Sequence, residues 1–194
     1  MSKQTLILAS TSSYRRELLT RLKLPFSCMS PGVDETPFNQ EHPTNLAQRL
    51  ALAKAQAIGL QHPDAWVIGS DQVAHFNDLK FGKPGNKDAA IRQLLQLSGQ
   101  TVVFDTALAL VQQASGFSRV TVVPTRVQFR TLSETEILRY VEAEPAFDCA
   151  GAAKSEGLGI SLLDAMHGED PTALVGLPLI ALSRMLREAG FNLP

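Results

Sequence analysis

The chain has 194 residues, with 18 Lys and Arg against 19 Asp and Glu and a formal net charge of −1. Hydrophobic residues make up 44% and charged residues 19%, too apolar for a disordered polyelectrolyte and too polar for a protein crossing a membrane many times. Balanced charge excludes a general nucleic-acid surface, which needs a basic excess to meet phosphates, and a chain of this length buries roughly 70% of its surface without a staple.

Residues 5–9 read as a short buried strand, and Ser10-Thr11-Ser12-Ser13 as the loop into a helix over 14–22. The opening apolar run stops after a few residues and Arg15-Arg16 follow, which is too short for an export signal. No segment approaches the ~20 apolar residues that span a bilayer. The expectation is a cytoplasmic protein with no membrane partner, its cysteines Cys28 and Cys149 being half-buried free thiols. Residues 25–29 suggest a second strand, before the turn-rich stretch from Ser30 to Pro37. A long helix follows Pro43, with Leu46, Leu50, Ala53, Ala57 and Leu60 at helical spacing, and His62-Pro63-Asp64 ends it.

Trp66-Val67-Ile68-Gly69 reads as a strand that delivers Ser70-Asp71-Gln72 at its C-terminal end. Residues 81–85 form a loop and 87–97 a helix stopped at Ser98-Gly99. Residues 100–111 and 120–129, rich in Val, Thr and Phe, flank the turn 113–116 and predict a long antiparallel pair. Ser133-Glu134-Thr135-Glu136 is a capping box opening a helix to about 142. Residues 157–163 predict another strand and 176–189 a final helix. Helices interleaved with strands, with one hairpin connection, predict an α/β fold around a mixed sheet. The expectation is one domain over residues 1–194, with two lobes around one cleft also compatible.

Candidate chemistry begins at Ser10-Thr11-Ser12-Ser13-Tyr14-Arg15-Arg16. Two arginines in a first helical turn oppose the helix dipole, which makes sense if an anion sits between the loop amides and the guanidinium groups. The plainer alternative is a serine-capped helix whose arginines reach solvent or a carboxylate. The chain lacks GxxxxGK[ST], so this is not a P-loop. Lys54 lies at the edge of an apolar helical stripe, where a lysine ordinarily snorkels, while Lys83 leaves a loop stiffened by Pro84. With Arg15 and Arg16 these would make a cationic clamp for several phosphates. Asp71, at a strand end where open α/β sheets place ligands, and Asp34-Glu35, in a Pro/Gly-bounded turn, are the acidic complement. Carboxylates beside polyphosphate hold a hard cation or activate water. His42, His62, His75 and His167 share no ligand spacing.

Together, Leu6-Ile7-Leu8-Ala9-Ser10-Thr11-Ser12, Arg15-Arg16, Val33-Asp34-Glu35-Thr36, Gly69-Ser70-Asp71-Gln72, Gly82-Lys83-Pro84, Cys149-Ala150-Gly151, Lys154-Ser155-Glu156-Gly157, Asp170-Pro171 and Val175-Gly176-Leu177-Pro178-Leu179 resemble the Maf family of nucleoside-triphosphate pyrophosphatases. The likeness runs in order along essentially the whole chain. It implies an elongated, Maf/ITPase-like α/β fold with a nucleotide-binding cleft and hydrolysis to a monophosphate and pyrophosphate with a divalent cation, Mg²⁺ or Mn²⁺. On that likeness Asp71 is catalytic, Ser10, Arg15, Arg16, Lys54 and Lys83 bind substrate, and Glu35 with Asp71 takes the metal. Gln72 and Glu156 stand where the dTTP/UTP branch carries Thr and Gln, so the chain resembles the branch acting on 7-methyl-GTP, with Tyr14 at a third specificity position that is Trp in that branch. A 7-methylguanine base is cationic and gains about 0.5–2 kcal/mol over an aromatic face, and Glu156 can accept from its N1 and N2 edge while Gln72 offers a donor and an acceptor. The rival readings are a dTTP/UTP-type enzyme of the same family and a non-catalytic nucleotide-sensing division regulator. A homodimer is compatible with all three.

Overall fold

The computed structural model describes residues 4–77 and 79–194; Met1–Lys3 and Asp78, the first of which open the N-terminal run, lie outside the described residues. Among the described residues seven strands form one mixed sheet. β1 (Leu6–Ala9), α1 (Ser13–Thr20) and β2 (Ser27–Met29) come first, then α2 (Pro43–Gly59), β3 (Trp66–Phe76), β4 (Leu79–Phe81) and α3 (Lys87–Leu97). β5 (Thr101–Gln112), β6 (Phe117–Phe129), α4 (Glu134–Ala143), β7 (Leu163–Gly168) and α5 (Leu179–Glu188) complete the chain. The strand order is β2-β1-β3-β5-β6-β7, with β4 paired to β3. β1 runs parallel to β2 and β3, and the remaining pairs are antiparallel, which is the mixed α/β sheet expected.

Alternation along β3 and β5 divides the core. Val67, Val73, Ala107, Ala109 and Val111 face α2, which packs Leu46, Leu50, Ala51, Ala55 and Ile58 against them. The opposite face carries two separate cores. Ile68, Leu108 and Leu110 meet α1 and α5, while Ala74, Val102, Phe104 and Val127 meet α3 and α4. The helices start where local chemistry places them. Ser12 accepts from the Arg15 N–H, Asn86 from Ala89, and Ser133 and Glu136 make the reciprocal capping box. No described helix is long and apolar enough to cross a membrane.

Four expectations change. β3 does not stop at Gly69: it continues to Phe76, so Asp71 lies in mid-strand rather than at a strand end. Its polar stretch stays extended because β5 pairs with it without interruption from Val67↔Val111 to His75↔Val103. The other edge of β3 explains why the site is still there. Parallel β1 pairs no further than Ile68, and β4 begins only at Ala74. Asp71 therefore sits beside the C-terminal end of β1, in a gap between two neighbouring strands. Residues 157–163 are not a strand either. Leu158–Leu162 forms a 3-10 turn, where Glu144 accepts the Leu158 N–H and the Ser161 hydroxyl donates to the Leu158 carbonyl, and β7 starts at Leu163. The final helix begins at Leu179, three residues later than expected. Cys28 is exposed, not half-buried, on the short edge strand β2; Cys149 is half-buried as expected.

α2 approaches β3 most closely at Gly69, where any side chain would run into the Ala51 carbonyl and into Ala55. That contact brings Lys54 down beside the strand. Gly69→Ala is expected to cost about 1–3 kcal/mol of stability, because backbone on both sides must move. Urea unfolding measures it; an unchanged midpoint would refute the close approach.

Candidate active site

The gap beside β3 opens into a cleft of about 620 Å³, lined by the 9–15 loop and helix start, residues 30–35, and side chains from α2, β3, the 82–83 loop, residues 148–156 and the 174–176 turn. At its floor Lys54 Nζ lies 2.7 Å from Asp71 Oδ1 and 2.7 Å from Glu35 Oε1. Lys54 is only 5% exposed and Asp71 7%. A lysine buried this far is held by counter-charge, not snorkelling. Burial pushes the Asp71 carboxyl above its ordinary range, with Glu35 adding to the rise, although Lys54 and Arg15 pull it down. Burial pushes the Arg15 guanidinium below its ordinary range, and the charges of Asp71 and Glu35 oppose that shift.

The arginine is fixed from behind. Its Nε donates to the Gly176 carbonyl at 2.9 Å, and the Ser70 hydroxyl is shared between that carbonyl and Ala107, at 2.9 and 2.8 Å. Gly176 holds φ at +118°, a conformation that side-chain-bearing residues avoid, and so aims its carbonyl at both donors. Asp170 secures the rest of this turn, accepting from Thr172 and from the Ile180 N–H at the start of α5.

Lys83 projects from the exposed 82–83 loop into the cleft and makes no ion pair among the described residues; the loop is tied down where the Gly85 N–H meets the Phe147 carbonyl at 2.9 Å. Ser10 is buried at the cleft edge and accepts from the Ser12 N–H. Arg16 is exposed and does not line the cleft: adjacent residues on a helix point about 100° apart, and Arg15 takes the inward direction. Asp34 likewise turns away, its carboxylate accepting the Thr36 N–H at 2.9 Å, while Glu35 faces in.

Tyr14 lines the cleft near Asp148, Cys149 and Glu156. Its phenol is pushed up by burial and by Cys149 and Asp148; the Cys149 thiol is pushed up to about 12, chiefly by burial and then by Asp148. Lys154 Nζ lies 5.7 Å from the centre of the Tyr14 ring and is drawn aside by Glu144 at 3.1 Å. Gln72 behaves differently from the expectation. Its amide nitrogen is committed to Thr106 Oγ1 and to the Ala173 and Leu174 carbonyls, at 2.9, 3.1 and 2.9 Å. Gln72 thus pins the 173–174 turn and retains only its oxygen as an acceptor. Asp148, Phe104 and Leu174 are cleft residues that no motif in the sequence singled out, whereas Val175 and Gly176 belong to a stretch that carries the family resemblance.

Comparison with known proteins identifies the family. The Maf-like protein family model matches residues 5–189. A protein of Aromatoleum aromaticum named 7-methyl-GTP pyrophosphatase is 59% identical over 194 residues, covering all of both chains. Proteins of the same name from Polaromonas sp. and Xanthomonas oryzae pv. oryzae are 55% and 56% identical, covering 99% and 97% of this chain and 88% and 98% of theirs.

Removing Lys54 while leaving its partners should be costly. Lys54→Met is expected to destabilise the fold by about 3–5 kcal/mol, because Asp71 keeps a buried charge without its counter-ion. Denaturant titration at neutral pH tests this, and a stability equal to the parent protein's would mean the pair is not held as described.

Proposed function

Since the chain belongs to the Maf family, we propose that it hydrolyses 7-methyl-GTP to 7-methyl-GMP and pyrophosphate, with water attacking the α-phosphorus. The observation that carries this reading is the buried Asp71 carboxylate, held by Lys54 beneath a cleft whose phosphate end presents Arg15 and Lys83. Asp71 takes a proton from the attacking water as the bond from the α-phosphorus to the bridging oxygen breaks and pyrophosphate leaves. A base so placed contributes about 10²–10⁴ in rate. Lys54 keeps Asp71 ionised and oriented, and Arg15 and Lys83 receive the charge of the departing pyrophosphate. A binding-only protein has no need to bury a water-activating carboxylate beside its phosphates.

Glu35 and Asp71 are the residues that would hold a hard divalent cation, Mg²⁺ or Mn²⁺. The donor set fits, because both carboxylates already converge on one positive charge, the Lys54 ammonium. No group of three His, Cys, Asp or Glu suited to a metal exists among the described residues, so substrate and water oxygens complete the shell, as is usual for Mg²⁺. When bound, the cation neutralises charge on the triphosphate.

At the base end Tyr14 offers an aromatic face to a cationic ring, and Glu156 an acceptor for the N1 and N2 edge of guanine. The Gln72 oxygen adds a second acceptor. The reading is of one domain acting in the cytoplasm on a free nucleotide, and it is compatible with a homodimer.

The test is incubation with Mg²⁺ and a nucleotide panel of 7-methyl-GTP, GTP, UTP and dTTP, followed by quantitation of monophosphate and pyrophosphate. Preference for UTP or dTTP would move the protein to the sibling branch, and tight binding without product would leave a sensor. Asp71→Asn should fold and lose about 10²–10⁴ in kcat. Because its carboxyl is raised in the folded protein, the neutral form favours folding below the unfolded value and that contribution is lost as pH rises through the folded one.

A further inference from the structure

Glu35 reaches the cleft on a segment, residues 30–42, that contains neither helix nor strand. Something must hold such a stretch in one place if its carboxylate is to meet Lys54 at 2.7 Å. Among the described residues it is gripped on several sides by Arg49, on α2 five residues before Lys54. The Arg49 guanidinium forks onto Glu41, with Nε 2.7 Å from Oε1 and Nη2 2.8 Å from Oε2. Nη2 also donates to the Thr36 carbonyl at 3.1 Å, one residue from Glu35. The guanidinium carbon lies 4.0 Å from the centre of the Phe38 ring, and the Phe38 N–H returns to Glu41 Oε2 at 2.9 Å.

We propose that Arg49 is a positioning residue for the hydrolysis, closing residues 36–41 into a ring so that Glu35 stands over Lys54 and Asp71. This rests on the functional reading above. An isolated surface ion pair would deserve no such role, but this one is bidentate, stacked and bonded to backbone. The Glu41 carboxyl is drawn down to about 2, first by its hydrogen bonds from Arg49. Phe38 fits the same account. It is 64% exposed and belongs to none of the three cores, so its partner is the guanidinium face and not the protein interior. Lysine in place of Arg49 would keep the charge but lose both the fork and the planar stack.

The experiment compares Arg49→Ala, Arg49→Lys, Glu35→Ala and the Arg49→Ala/Glu35→Ala double variant by steady-state kinetics on 7-methyl-GTP, together with backbone amide exchange of the substrate-free proteins. Arg49→Ala should lower kcat by roughly 10²-fold, the scale of an ångström-level misplacement, with KM little changed because Arg15 and Lys83 are untouched. Arg49→Lys should resemble Arg49→Ala, and the double variant should be no slower than Glu35→Ala alone. Exchange should rise across residues 33–41 and stay unchanged across β5. Multiplying losses in the double variant, or unchanged exchange at 33–41 in a folded Arg49→Ala protein, would overturn the proposal. If the parent protein hydrolysed no nucleotide, the functional reading would fall, while amide exchange would still decide whether Arg49 holds the strap.

Discussion

Burying the ammonium of Lys54 sets the terms for everything around it. An unpaired charge at that depth would be ruinous, so two carboxylates must arrive from different parts of the chain, Asp71 from mid-strand and Glu35 from a loop. For Lys54 to reach Asp71, α2 must lie almost on the sheet, and Gly69 is the residue that lets it. For Asp71 to remain accessible from the cleft, the neighbouring strand must end early, as β1 does after pairing Leu8 with Ile68. Once these demands are met, the carboxylate proposed as general base, the ammonium that orients it and a second carboxylate stand together. On that reading the groups that bind phosphate need only be added at the rim.

The cleft gathers charges of both signs. Arg15 and Lys83 line it together with Asp148 and Glu156, and the last two lie near Tyr14. A chain with 18 basic and 19 acidic residues is neutral in sum and strongly polarised in one place. Such an arrangement suits a ligand that is itself polarised, anionic along its phosphates and cationic on its base.

Much of this was legible beforehand. Periodicity and caps gave α2, α3 and α4, and the Val- and Thr-rich pair β5–β6 announced the antiparallel half of the sheet. What local sequence could not reveal was decided by distant partners. Gly69-Ser70-Asp71-Gln72 is polar enough to read as the end of a strand, but β5, more than 30 residues on, keeps it extended. Arg15 and Arg16 are equivalent as text; only the position of the Gly176 carbonyl makes one a site residue and leaves the other in solvent. Gln72 promised a donor and an acceptor, and the 173–174 turn consumed the donor. Arg49 carried no signal at all, because its partners belong to a segment without periodicity.

The carboxylate proposed for hydrolysis is built into a strand clamped by β5 from Val67 to His75, while two of the groups proposed to face the base, Tyr14 and Glu156, stand on α1 and on the irregular 148–156 stretch; Gln72 alone shares β3. On that reading reaction and recognition are mounted largely on separate supports. Changes to the irregular stretch can alter which ring is accepted while the register of β3 against β5 stays fixed. A scaffold of this kind can be retargeted from one nucleotide base to another without reinventing the bond-breaking step.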